Sequence, residues 1–259
     1  MGGQDNSLNI IRKWGQDILL AMAFLTRLPV PVGKASASRP LSDVAWAFPM
    51  VGLITGAVAG FALLLGFQLN LHPLVCGLLA IGASTVLTGA LHEDGLADVA
   101  DGFGGGRKVA DKLRIMRDSQ VGSYGVLALI FSVALRTGAL AGMLTPTTAV
   151  LALIAAAALS RGLVAVVMSQ MEMARTDGLG AGAGRPSGEG AMVALGLGAV
   201  SAFLLLGALG WIVLGVAIAA AAAMAWIAKR QIGGQTGDVL GAVQQVSEAA
   251  ALLCVAAMI

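Results

Sequence analysis

The chain has 259 residues and a formal net charge of +2; 58% of its residues are hydrophobic and only 12% are charged. Soluble domains carry roughly 25% charged and about 45–50% apolar residues, so a core of this size cannot hide the excess and lipid must be the solvent for much of the surface. The small net charge and the lack of a basic tail exclude nucleic acid as a partner.

The predicted fold class is therefore all-α, a polytopic transmembrane bundle forming a single domain over residues 1–259. Its first residues are polar and lack the basic-then-apolar order of a signal peptide, so the chain is expected to be anchored by its own spans. Over 8–28, Ile11, Trp14, Ile18, Met22 and Leu25 fall at helical spacing, with Arg12, Lys13, Gln16 and Asp17 on the other side. The apolar part is too short to span and Pro29 and Pro31 end it, which predicts an amphipathic helix on the membrane surface. About seven spans of roughly 20 residues follow, near 44–69, 73–91, 121–143, 147–170, 191–208, 210–228 and 239–259. The uncharged run 191–228 is 38 residues long, or roughly 57 Å as one helix, so Gly207 and Gly210 are expected to turn it into two spans. Cys76 and Cys254 lie in apolar runs and read as small buried hydrophobes.

Seven spans place the N-terminus and segments 92–120, 171–190 and 229–238 on one side, where fourteen of the sixteen Lys and Arg residues lie. By the positive-inside rule that side is cytoplasmic. Segment 92–120 stands out there. Its 92–118 stretch holds His92 and six of the fourteen acids. Asp94, Asp98 and Asp101 are spaced i, i+4, i+7, one face of a helix, where like charges repel unless they fan into water or share a cation. A solvated loop is one reading. A Mg²⁺ site is the other, because all-oxygen ligands without Cys suit that ion, which shares its coordination sphere with substrate phosphates. The basic residues Arg107, Lys108, Lys112, Arg114 and Arg117 follow at once, with Asp118 beside them, a composition suited to a diphosphate or to anionic lipid.

Two more cytoplasmic segments matter. Residues 233–238 (GGQTGD) read as a tight turn able to meet an anion before the last helix, and 178–190, with six glycines, reads as a linker. Within the spans, Arg136, Arg161 and Glu248 are the charges, and intramembrane charges are functional candidates by default. Arg161 and Glu248 fall at similar depths, roughly 14–15 Å from the cytoplasmic ends, and are expected to pair or to face one polar cavity. Arg136 lies nearer the outer face and is expected to snorkel.

With these residues in view, the chain resembles the cobalamin synthase family, the adenosylcobinamide-GDP ribazoletransferases. The matching stretches are 24–31 (FLTRLPVP), 48–52 (FPMVG), 92–102 read as H-x-D-G-L-A-D-x-x-D-G, 115–119 (IMRDS) with Gly122 and Gly125 after it, and 233–238. Arg161 and Glu248 also sit where the family carries such residues. The resemblance implies a Mg²⁺-dependent transferase for substituted phosphate groups, joining adenosylcobinamide-GDP to α-ribazole or its 5′-phosphate and releasing GMP. It implies a multi-pass protein of the bacterial inner membrane in contact with lipid, with homo-oligomers left open. Asp94, Asp98 and Asp101 would hold the metal, and His92 or one of these aspartates would accept the hydroxyl proton. Arg114 and Arg117 would neutralise the departing GMP. Asp118, Ser119, Arg161, Gln235, Thr236, Asp238 and Glu248 would complete the substrate contacts.

Two alternatives come from other classes. A CDP-alcohol phosphotransferase making a phospholipid shares the D-x-x-D-G opening at Asp98, Asp101 and Gly102, but Gly105 and Gly106 stand where that family has Ala-Arg. A divalent-cation transporter would need acids at mid-depth or on both sides. Only Glu248 lies deep, and the opposite connections carry none.

Overall fold

The computed structural model describes residues 2–33, 37–175 and 182–259, with side chains from residue 11 onward. Part of the glycine-rich segment 178–190, expected to be a linker, lies outside the described residues. Among the described residues there are ten α-helices and no sheet; one isolated bridge joins Met173 to Gln235. The helices are α1 (Gly2–Leu25), α2 (Phe48–Gln68, entered through a 3₁₀ helix at Leu41–Ala47), α3 (Pro73–Thr88), α4 (Leu91–Gly105) and α5 (Val109–Ile115). They continue as α6 (Ser123–Ala141), α7 (Pro146–Gln170), α8 (Gly188–Leu206), α9 (Leu209–Ile232) and α10 (Gly237–Met258).

Among the described residues six helices are long and apolar enough to cross a membrane: α2 with its 3₁₀ lead-in, α6, α7, α8, α9 and α10. The crossing expected at 73–91 stops at Thr88, because Gly89 (φ 65°) and Ala90 (φ 58°) are both left-handed and turn the chain by 93° into α4. A left-handed alanine costs about 1–2 kcal/mol, and it is held here by Ala90 N–H donating to Thr85 O at 2.8 Å. Helix α3 alone, at 16 residues, is about 24 Å long, most of the hydrocarbon thickness. Segment 92–120 is mostly the helix pair α4–α5 leaving α3 at an angle, and not the solvated loop of the alternative reading.

Helix α7 is the central pillar, with buried residues around its whole circumference. Glycines let backbones meet it, the usual device where lipid provides no hydrophobic drive between helices. A Cβ on Gly52 or Gly56 of α2 would strike the α7 backbone at Ala157 or Ile154, and one on Gly162 would strike Ala194 of α8. The 191–228 run breaks as expected at Gly207 (φ 60°), between α8 and α9. Gly210 is a correction: it lies inside α9, where it lets the first turn pack on the backbone of Ala202 and Phe203. Large apolar side chains such as Phe61, Leu78, Phe131, Leu204 and Trp211 face outward, where lipid would be. Both cysteines are free, Cys76 buried and Cys254 partly so.

Helix α1 forms, but one side chain departs from its expected side. Asp17 is buried, taking Arg39 at 2.6 Å and the Trp46 indole N–H at 3.1 Å, while Ile11 and Trp14 are exposed. The ion pair fastens the helix to the 3₁₀ segment, so Asp17 belongs to the packed face.

Candidate active site

A cavity of about 230 Å³ opens where the C-terminal ends of α1 and α7 meet the first turns of α2, α4 and α10. Its walls are apolar except for His92, Asp94, Arg175 and Asp238. The first turns of α4 and α10 meet at this cavity, where the local charge is set by Asp94, Asp238 and Arg175. Closeness of α4 and α10 comes from glycine: a Cβ on Gly95 would lie 2.7 Å from Asp238 O and 3.2 Å from Gly241 Cα. The backbones cross in contact there, which places His92 and Asp94 beside Asp238.

Asp94, Asp98 and Asp101 all lie on α4, as their spacing predicts, yet they meet three environments. Asp94 is exposed at the cavity. Asp98 is half-buried, and its carboxyl is pushed up to about 7, first by burial and then by Asp94, Asp238 and Asp101, with Arg175 pulling the other way. Asp101 is buried and accepts the Gly122 N–H at 2.7 Å and the Gly125 N–H at 2.9 Å, satisfying donors at the start of α6. A Cβ on either glycine would run into that carboxylate, which accounts for both glycines following the acidic segment.

The expectation that these three aspartates converge on one ion needs correcting. Among the described residues no three His, Cys, Asp or Glu side chains gather closely enough to hold a metal. The physical reason is the helix-capping work of Asp101. Donor chemistry still fits Mg²⁺, an ion that takes one or two protein carboxylates and completes its shell with water and phosphate. Asp94 and Asp98, one turn apart on α4, are the two carboxylates that could serve it.

His92 is buried, and burial, then Arg161 and Arg136, hold its imidazole well below its ordinary pKa. A neutral imidazole can accept a proton. Beneath it lies a buried charge cluster. Arg136 is buried, with Glu248 Oε1 at 3.2 Å and Glu93 Oε1 at 3.4 Å; it does not snorkel, because two carboxylates hold it inside. Arg161 lies 3.6 Å from Glu248 Oε2, the pairing expected from their common depth. Gln244 donates to Glu248 at 2.6 Å and Gln245 to Glu93 at 3.1 Å, while Thr85 donates to Glu93 at 3.2 Å. Two arginines and two glutamates cancel, which is how lipid-embedded charge is tolerated.

The remaining predicted residues divide. Thr236 caps α10, accepting the Val239 N–H at 3.2 Å, and its hydroxyl donates to Asp238 at 3.2 Å. Gln235 is buried, its amide donating to Met168 O and Met171 O at 3.0 Å each, so it ties the α10 entrance to the end of α7. Arg114, Arg117, Asp118 and Ser119 are exposed on and after α5 and do not line the cavity. Sequence reasoning missed Arg175, which lines the cavity and reaches Asp238 at 3.3 Å. It also left Glu93 unassigned, although Glu93 follows His92 directly and an intramembrane Arg136 demanded an acid.

Fold and site thus define a multi-pass helical membrane protein with a carboxylate-lined, arginine-bearing cavity at one end of its bundle. Residues 17–256 match the family described as Cobalamin-5-phosphate synthase, and the chain belongs to it. It is 44% identical to the adenosylcobinamide-GDP ribazoletransferase of Bradyrhizobium diazoefficiens, over 95% of this chain and 95% of that protein. Proteins of the same name from Azorhizobium caulinodans and Mesorhizobium japonicum are each 46% identical, covering 92% of this chain and 94% and 91% of theirs. No solved structure matches the chain.

Proposed function

We propose that this chain is an adenosylcobinamide-GDP ribazoletransferase, joining adenosylcobinamide-GDP to α-ribazole or its 5′-phosphate in the final stage of cobalamin synthesis. The names of relatives alike over nearly the whole length support the reaction. The observation that carries the site is the cavity itself, which brings His92, Asp94, Asp238 and Arg175 together from three separate parts of the chain.

In the reaction a ribose hydroxyl oxygen of the lower ligand forms a bond to the phosphorus bearing the cobinamide. The bond from that phosphorus to the GMP oxygen breaks, and GMP leaves. The hydroxyl proton passes to a base, for which His92 is held neutral and Asp94 stands at the cavity. Asp94 and Asp98 would hold Mg²⁺, which supplies positive charge to the diphosphate when bound. The apolar walls of the cavity exclude water from the donor.

The protein sits in the bacterial inner membrane with the cavity facing the cytoplasm. The segments expected on that side carry fourteen of the sixteen Lys and Arg residues, which supports that orientation. The deciding experiment is GMP release by the purified protein from cobinamide-GDP plus α-ribazole, with Mg²⁺ and with EDTA. Release that requires both substrates and the metal is expected. Transfer from CDP-diacylglycerol to an alcohol in place of this reaction would overturn the proposal, and full activity in EDTA would remove the metal.

A further inference from the structure

Among the described residues Arg175 is the single arginine or lysine lining the cavity, and no role follows from the acidic or basic motifs. Its side chain is 13% exposed, and one guanidinium nitrogen lies 3.3 Å from Asp238 Oδ2. The other, NH1, is buried and has no hydrogen-bond partner among the described residues. Leaving a charged donor buried and unpaired is costly, so its persistence in a cavity wall points to a partner that arrives from outside. Asp238 is itself held by the Thr236 hydroxyl at 3.2 Å, so the guanidinium is fixed at one edge and open at the other. The cavity otherwise presents Asp94 and Asp238, with Asp98 close behind, and would repel a diphosphate without a cation.

We propose that Arg175 is a substrate-binding residue whose free NH1 edge takes a phosphate oxygen of the nucleotide-diphosphate donor, while Asp238 holds the other edge. The proposal rests on the transferase reading for the donor's identity. The fork of N–H groups suits phosphate geometry and a lysine would supply the charge without the fork. The basic residues after the acidic segment, Arg114 and Arg117, are outside the cavity and leave this task to Arg175.

Steady-state GMP release by the full chain, with each substrate varied in turn, tests this. Arg175→Ala is expected to raise KM for cobinamide-GDP about ten- to a hundredfold, the loss of one charge-assisted hydrogen bond. KM for α-ribazole should stay within about twofold by the same reasoning, since that substrate has no diphosphate. Arg175→Lys should recover part of the loss. An unchanged KM for the donor, or an equal rise for both substrates, overturns the assignment. Calorimetric binding of inorganic pyrophosphate separates the two readings and uses no turnover. A wild-type protein that binds pyrophosphate but releases no GMP defeats the transferase reading alone. Equal pyrophosphate affinity in wild type and Arg175→Lys, or in Arg175→Ala where it folds, defeats the phosphate site.

Discussion

Helix α4 sends its charges into two regions that obey opposite rules. Glu93 turns into the bundle, where Arg136, Gln245 and Thr85 satisfy one of its oxygens and the surrounding charges cancel. Asp94 and Asp98 turn toward the cavity, where like charges are crowded and Arg175 is the cation at hand. A cluster with balanced charge and mutual hydrogen bonds stabilises a helix position. A cluster with excess negative charge and an open arginine edge is arranged for a ligand. Because both hang from one helix, the first region sets the geometry of the second. The strained turn at Gly89 and Ala90 lies at their shared root.

Substitutions should separate the two. The largest effect is expected for Asp98→Asn, which keeps shape and removes charge just behind the cavity; turnover should fall about 10²–10⁴-fold while thermal stability in detergent holds, the range for losing a charged catalytic group. Asp101→Asn should behave differently, lowering the melting temperature as well, because its carboxylate caps α6. Next comes Glu248→Gln in the balanced region. Removing one buried partner costs about 3–5 kcal/mol, so a clear drop in melting temperature is expected, and a normal melting curve would show that the cluster is not the anchor of α4.

Gly95→Ala attacks the link between the regions. Forcing a Cβ against Asp238 O and Gly241 should cost about 1–3 kcal/mol and depress kcat more than stability, read by activity and melting together. A smaller effect follows from Asp98 being raised to about 7. The carboxylate form is the one that binds a cation and it is lost as pH falls through that value, so Mg²⁺ stimulation should weaken from pH 8 to pH 6. An Asp98→Asn background should abolish that pH dependence of metal affinity. Arg114→Ala with Arg117→Ala should change KM by only a few-fold, in keeping with exposed charges worth about 0–1 kcal/mol. A loss of a hundredfold would return those residues to the site.

Much of the scaffold was legible in the residues. Long uncharged runs fix spans because no backbone polar group can remain unpaired in lipid, and the break at Gly207 was readable from run length. The bend after Thr88 was not, since a left-handed Ala90 carries no compositional mark. In the site, the i, i+4, i+7 spacing placed the aspartates on one helix, but spacing cannot say that Asp101 meets two N–H groups of a helix 21 and 24 residues further on. Arg161 and Glu248 were paired correctly from depth alone, a one-dimensional property. Arg136 was misread from the same property, because depth does not record a neighbour such as Glu93, 43 residues away.

The sequence by itself determined that this chain lives in a membrane, where its acidic chemistry is concentrated and to which family it is similar. Those are properties of composition and local order, and hydropathy and helical periodicity carry them directly. Only the tertiary structure decided which acids face a ligand, which are consumed by capping or buried pairing, and that Arg175 joins them. Those outcomes depend on helices α4 and α10 crossing at Gly95 and Gly241, with the end of α7 closing the cavity, a contact between distant segments that no local pattern encodes.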